Sequence, residues 1–274
     1  MEMGLQNLLN NSSADDFEEL LFWGRISGVQ RDYYIAMGVT YSGKYEFPEK
    51  RFYYATSADF EFKAFPELNT QHGDKYDELQ GFFTGDPNKV HVQVESESKE
   101  EEEKPKEEEK ERDPLEDTEE EDPNKDFVAR NLIEADRLLY HVRAIENDCN
   151  IVPHGSFRLT EKHEVARNCA FRGLDCGQAF DLNNYMHFRN VQSDYKQKAL
   201  LDDDAVFCPD FLDAALADQP KGVWSIQKDS NGNTAIIRNH CWAGYTAFHT
   251  AGKSSFGGVY IGDGIKIADI ALQM

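Results

Sequence analysis

No stretch of eighteen apolar residues occurs in the 274-residue chain. A helix needs about that many to cross the hydrocarbon core of a bilayer, so a membrane span is excluded. The first twenty residues, MEMGLQNLLNNSSADDFEEL, lack the basic start and long apolar run of a secretory signal, and none is expected. Cysteine is scarce and irregular: Cys149, Cys169, Cys176, Cys208 and Cys241 include no Cys-x-x-Cys pair. An odd set of this kind reads as reduced thiols in an intracellular protein. Basic residues are also few, with 29 Lys and Arg against 51 Asp and Glu and a net charge of −22. Nucleic-acid affinity comes largely from Lys and Arg meeting phosphates, so neither nucleic acid nor an anionic membrane is an expected partner. Regular β-α-β alternation is missing too, which argues against a doubly wound nucleotide fold.

What the chain does have is an aromatic core. Phe and Tyr number 18 and 12, and hydrophobic residues make up 40% of the sequence. The acidity is concentrated. From Glu95 to Asp122 there are 17 acidic and 5 basic residues, so this run carries −12 of the charge. It holds one apolar residue, Leu115, and two prolines. Such a segment cannot bury enough surface to offset the entropy of ordering itself. The reading is one domain formed by residues 1–94 and 126–274, with 95–125 as a disordered acidic insertion in a surface loop.

The periodicity predicts an α+β fold: antiparallel hairpins and meanders with a few packing helices. LLFWGRISGVQRDYYIAMGVTY (20–41) reads as two strands around a polar turn, and RFYYATSADFEFKAFP repeats the pattern. DFVARNLIEADRLLYHVRAIENDCN predicts a helix capped by Asp126 and ended by Asn150. Its stripe runs through Val128, Leu132, Ala135, Leu139 and Val142, widened by Ile133, Leu138 and Ile145. IVPHGSFRL reads as a strand. Short helices are expected after Asp175 and in CPDFLDAALAD. KGVWSIQ and TAIIR flank an Asn-Gly turn, and CWAGYTAFHT and FGGVYIG flank AGKSS, which together predict a terminal meander.

The stretch TAGKSSFGGVYIGDG (250–264) tests for nucleotide chemistry. A Walker loop needs a glycine five residues before Gly252, but Ala247 stands there. The dinucleotide register fits Gly262 and Gly264 but meets Ile267 at the third position. Both motifs fail, and Gly252 is expected to turn a hairpin, with Lys253 and Ser254 in its loop. Zinc would want four ligands in close pairs, which His163, Cys169, Cys176, His240 and Cys241 do not supply. Asp202, Asp203 and Asp204 lack the ligand spacing of a calcium hand and read as a solvated turn. No metal, cofactor or catalytic residue is expected.

Several blocks carry a family pattern. LLFWGRISGVQRDYYIAMG, FTGDPN, IVPHGSF, FRGL followed by NYMHFR, PKGVWSIQ and FGGVYIGDGIKIADIALQM stand in this order. In sequence and spacing they resemble the radial spoke head protein 9 family of motile cilia and flagella. The resemblance spans nearly all of the chain outside the acidic run, which is longer and more acidic than the family's loop. It implies a non-enzymatic scaffold in the cytoskeleton of the axoneme. The implied partners are other radial spoke head proteins, especially the four/six type, and the central pair apparatus through the assembled head. The implied role is relay of mechanical signals between central pair and dyneins. Trp23, Tyr33, Tyr34, Trp224 and Trp242 are the candidate core or interface anchors. Two rival readings are an acidic binding module or chaperone for basic proteins, and a hydrolase built on a Cys–His pair.

Overall fold

The computed structural model describes residues 1–11, 17–41, 47–68, 73–79, 81–92, 131–161, 164–200 and 210–270. Helix α1 is Glu2–Asn11. Strands β1 (Glu19–Ile26), β2 (Tyr33–Thr40), β3 (Glu49–Thr56) and β4 (Lys63–Ala64) follow. Next come α2 (Gly73–Glu78), β5 (Val90–Val92), β6 (Leu132–Ile133) and the long helix α3 (Glu134–Cys149). Short strands β7 (Ile151–Pro153), β8 (Phe157–Leu159), β9 (Val165–Arg167) and β10 (Tyr185–His187) precede α4 (Asp194–Leu200). The chain ends in β11 (Trp224–Lys228), β12 (Thr234–Asn239), β13 (Tyr245–Thr250) and β14 (Phe256–Gly262). No helix among the described residues is long and apolar enough to cross a membrane.

Eight strands form one sheet in the order β11-β12-β13-β14-β1-β2-β3-β4. The α+β architecture expected from sequence is present, with hairpins at both ends of the chain. The β1–β2 turn is held by Asp32, which accepts from Arg25 and from the Gly28 N–H, both at 3.2 Å. The two meanders are joined where β1 pairs with β14 in parallel, through Gly24–Ile26 and Tyr260–Gly262. That seam depends on a bulge. Phe22 lies opposite Ala36 and Gly24 opposite Ile35, so Trp23 is the extra residue and turns into the core. Gly24 has φ +155°, and a Cβ there would overlap the Tyr260 carbonyl oxygen, so only glycine lets β14 approach this closely.

Helix α3 covers the inner face. Its Leu138, Leu139, Val142, Ile145 and Cys149 are buried in one cluster with Trp23, Ile35, Met37 and Tyr260. The helix starts later than its stripe predicts. Leu132 and Ile133 belong to a strand paired with β5, and the helix opens at Glu134. The Asp136 carboxylate accepts from the Ile133 N–H at 3.2 Å and marks the boundary. Asp126 and Val128 lie outside the described residues, as do His163, the Asp202–Asp204 turn, Cys208 and the whole acidic run.

Three other expectations need correction. IVPHGSFRL is two strands, broken by a turn at His154–Ser156, so β7 pairs with β10 and β8 with β9. The helix after Asp175 is two 3₁₀ turns, Gln178–Phe180 and Leu182–Asn184. Asp175 accepts from the Gln178 N–H ahead of the first, but Asp181 caps the second through the Asn183 N–H and ends the run. In CPDFLDAALAD only Ala215–Ala217 is helical among the described residues. Helix α1 was not read from the sequence.

Candidate functional site

The five aromatic candidates give the place to start. Trp23, Tyr33, Trp224 and Trp242 are buried, whereas Tyr34 is half-buried on the opposite sheet face, 5.0 Å from the Phe60 ring. Each of the four buried rings carries a polar hydrogen that must find an acceptor. In all four cases the acceptor is a carboxylate. Trp23 Nε1 donates to Glu146 Oε2 at 2.8 Å, Trp242 Nε1 to Asp148 Oδ2 at 2.9 Å, and Trp224 Nε1 to Asp218 Oδ2 at 2.8 Å. The Tyr33 hydroxyl donates to Glu134 Oε1 at 2.7 Å.

Three of the four carboxylates stand on α3, which makes this helix the organising element. Glu134 is fully buried. Besides Tyr33 it accepts from the Thr84 N–H at 3.0 Å, the Thr84 hydroxyl at 2.5 Å and the Gly85 N–H at 2.8 Å. It thereby fixes the TGDP turn against the helix start. Glu146 also accepts from Lys50 Nζ at 2.5 Å and Asn150 Nδ2 at 2.6 Å. Lys50 donates further to the Phe188 carbonyl at 3.0 Å, tying β3 to the chain beyond β10. Asp148 is shared with Lys266 Nζ at 2.8 Å, which anchors the C-terminal segment. Asp218 faces His187 Nε2 at 2.9 Å and joins β10 to β11.

The electrostatics follow from this geometry. Burial alone pushes the Glu134 carboxyl up, but hydrogen bonds from Thr84, Tyr33 and Gly85 outweigh it and hold it below the ordinary carboxylate range. Burial likewise pushes Asp148 up, and Lys266 and Trp242 pull it below the ordinary value. For Asp218, burial is overcome by His187 and Trp224. Burial and the bond to Glu134 push the Tyr33 phenol well up, so it stays a donor. These groups are acceptors already in use. Their chemistry is cross-linking of strands and helix.

The other sequence candidates stay separate. The thiol of Cys149 is pushed well up by burial and by neighbouring Asp148 and Glu146, the reverse of the electropositive setting that makes a nucleophile. Burial also raises Cys241. Cys169 and Cys176 are exposed and unbridged, and His240 is exposed. No group of three or more His, Cys, Asp and Glu among the described residues could hold a metal. Gly252 turns the β13–β14 hairpin at φ +69°. Its N–H donates to the Leu174 carbonyl at 2.7 Å, and that of Lys253 to the Thr250 carbonyl at 3.1 Å. These two amides are taken, and a strand follows instead of a helix N-terminus.

The carboxylates themselves escaped the sequence reading. A signal was present: Glu134, Leu138, Val142 and Glu146 are spaced four apart, so both acids fall on the apolar stripe of the helix. A second feature lies at the seam. Beyond Gly24 and Tyr260 the strands β1 and β14 part, and a cavity of about 220 Å³ lies between them, lined by Phe22, Trp23, Met37 and Val259.

No model of a known protein family matches the chain. Whole-chain relatives are clear. It is 30% identical over 261 residues to a radial spoke head protein 9 homolog of Danio rerio, covering 94% of this chain and 86% of that one. The homolog of Homo sapiens is also 30% identical, over 259 residues with the same coverage. That of Xenopus tropicalis is 25% identical over 256 residues, 93% of this chain and 84% of its own. Likeness at this level across both lengths places the chain in the radial spoke head protein 9 family.

Proposed function

We propose that the chain is a non-enzymatic structural subunit of the radial spoke head in the axoneme of motile cilia or flagella. The observation that carries this reading is 30% identity over 94% of the chain to proteins named for that head. The site fits it. Three aromatic donors are spent on carboxylates of the helix that lie 94 to 123 residues from them in sequence. Such bonds stiffen a body that must carry load, and they leave the groups no substrate-facing role. In this role the subunit scaffolds the head beside larger head proteins of the four/six type. Through the assembled head it meets the central pair and helps relay mechanical signals to the dyneins. Residues 1–94 and 126–274 act as one domain, with 95–125 as an insertion. Pairing of β5 with β6, on either side of the run, supports that arrangement.

Location tests the reading. A fluorescently tagged full chain should be found along the axoneme of motile cilia, remain there after detergent removes the membrane, and resist 0.6 M salt. A nuclear or diffuse cytosolic signal would remove the proposal, and binding to free histones lost on deleting Glu95–Asp122 would favour the acidic chaperone instead.

A further inference from the structure

The two halves of the large sheet are finished differently on their outer face. Across β1–β3 that face is closed. Phe17 meets Tyr53 edge-on at 5.9 Å and lies against Gly38, and Tyr34 packs on Phe60. Ala36 and Ala55 beneath them are 0% and 1% exposed. Across β11–β14 no comparable cover exists among the described residues. The register sets Ile236 opposite Phe248, Thr246 opposite Val259, and Arg25 beside Ile261, all on this face. Phe248 is 43% and Ile261 50% exposed.

Charge singles out the same surface. The chain holds 51 acidic residues, yet β11, β12, β13 and β14 contain none. The charge on the outer face of these strands is the exposed cation Arg238, while Arg25 of β1 at its edge is already paired with Asp32 at 3.2 Å. Phe22 and Val259 also line the seam cavity, whose wall is mixed: Trp23, Met37 and Phe157 stand beside Lys50, Glu146 and Arg167.

We propose that this face docks a segment of a different protein, one that lays apolar side chains over Phe248 and Ile261 and sets a carboxylate against Arg238. The proposal rests on the structural-subunit reading. Charge complementarity selects the occupant. A second copy would bring the same cation, Arg238, and no acid from β11–β14 to meet it. The acidic run of this chain would bring acids but only Leu115 to cover Ile236, Phe248, Val259 and Ile261. A buried apolar anchor ringed by polar contacts is the usual source of affinity at a permanent interface.

The test uses demembranated axonemes from cilia lacking this chain, supplemented with the purified full-length protein and sedimented. Wild type should incorporate at the level of native axonemes. The double variant Phe248→Asp/Ile261→Asp should incorporate at least tenfold less while melting within a few degrees of wild type. Arg238→Glu alters a single exposed charge, so folding is not in question, and it should weaken incorporation several-fold. Val29→Asp/Phe82→Asp, at exposed apolar residues elsewhere, should match wild type. If wild type incorporates and both surface variants match it, the docking face is wrong and the structural reading survives. If wild type fails to incorporate, the structural reading falls first. Sedimentation equilibrium showing a dimer of wild type that Phe248→Asp abolishes would overturn the proposal in favour of a second copy.

Discussion

Truncating Glu134 to alanine would orphan four donors at once: the Tyr33 and Thr84 hydroxyls and the Thr84 and Gly85 amides. A buried donor left without an acceptor costs about 1–3 kcal/mol, so the expected loss is on the order of 4 kcal/mol or more. Trp242→Phe is milder. It removes one bond to Asp148, which is 30% exposed and keeps Lys266, so about 1 kcal/mol is expected. Urea unfolding of the two variants should rank them in that order, and equal losses would mean that the buried network does not dominate. The same residues set a pH profile. The Glu134, Asp148 and Asp218 carboxyls titrate below their ordinary range when folded. The unfolded chain therefore binds protons first, and their contribution, complete at neutral pH, is lost as pH falls from about 4 through the folded values. His249 is held below its ordinary value by burial. It begins to favour the unfolded state at a higher pH, as acidity rises past about 6.5. The melting temperature should fall in two stages on acidification, the first diminished by His249→Gln and lost only when His91, which burial and Arg137 also hold low, is replaced as well. A melting temperature that is flat down to pH 4 would contradict this.

At the scale of elements, the hairpins were legible in sequence because their signals are local. Period-two alternation and an Asn-Gly or Gly-Lys-Ser turn lie within about ten residues of each strand they join. The start of α3 was not, because its apolar stripe continues into Leu132 and Ile133, and only pairing with β5 decides that those two residues are strand. The parallel seam was hidden for the same reason at longer range: β1 and β14 lie at opposite ends of the chain. Four of the five aromatic candidates are buried. The carboxylate that each one meets was not legible, since Trp23 and Glu146 are 123 residues apart and meet only in the fold. The seam itself can be probed. Gly24→Ala would drive a methyl group into the Tyr260 carbonyl and should cost on the order of 3 kcal/mol. Gly155→Ala, at φ +79° but with nothing within 4 Å of the added carbon, should cost only about 1 kcal/mol. Equal melting temperatures for the two variants would show that the meanders do not depend on close approach at Gly24.

On the scale of the whole molecule, charge is divided unevenly between the acidic run and the sheet. The run carries −12 of the −22 charge, while β11–β14 carry no acid. Read as an insertion, the run can be replaced by a short Gly/Ser linker with the melting temperature unchanged to within a few degrees, because loop length costs little in closure entropy. A large drop would show that it packs on the domain. Its removal should alter beat waveform while the subunit stays on the spoke, since a charged loop steers weak contacts at long range and apolar burial holds permanent ones. The central claim, that this chain is a structural part of the spoke head, is tested most directly by cryo-electron tomography of axonemes with and without it. The account predicts spoke heads missing defined density in the deleted cilia, restored by the full-length chain. Complete heads in its absence would contradict it.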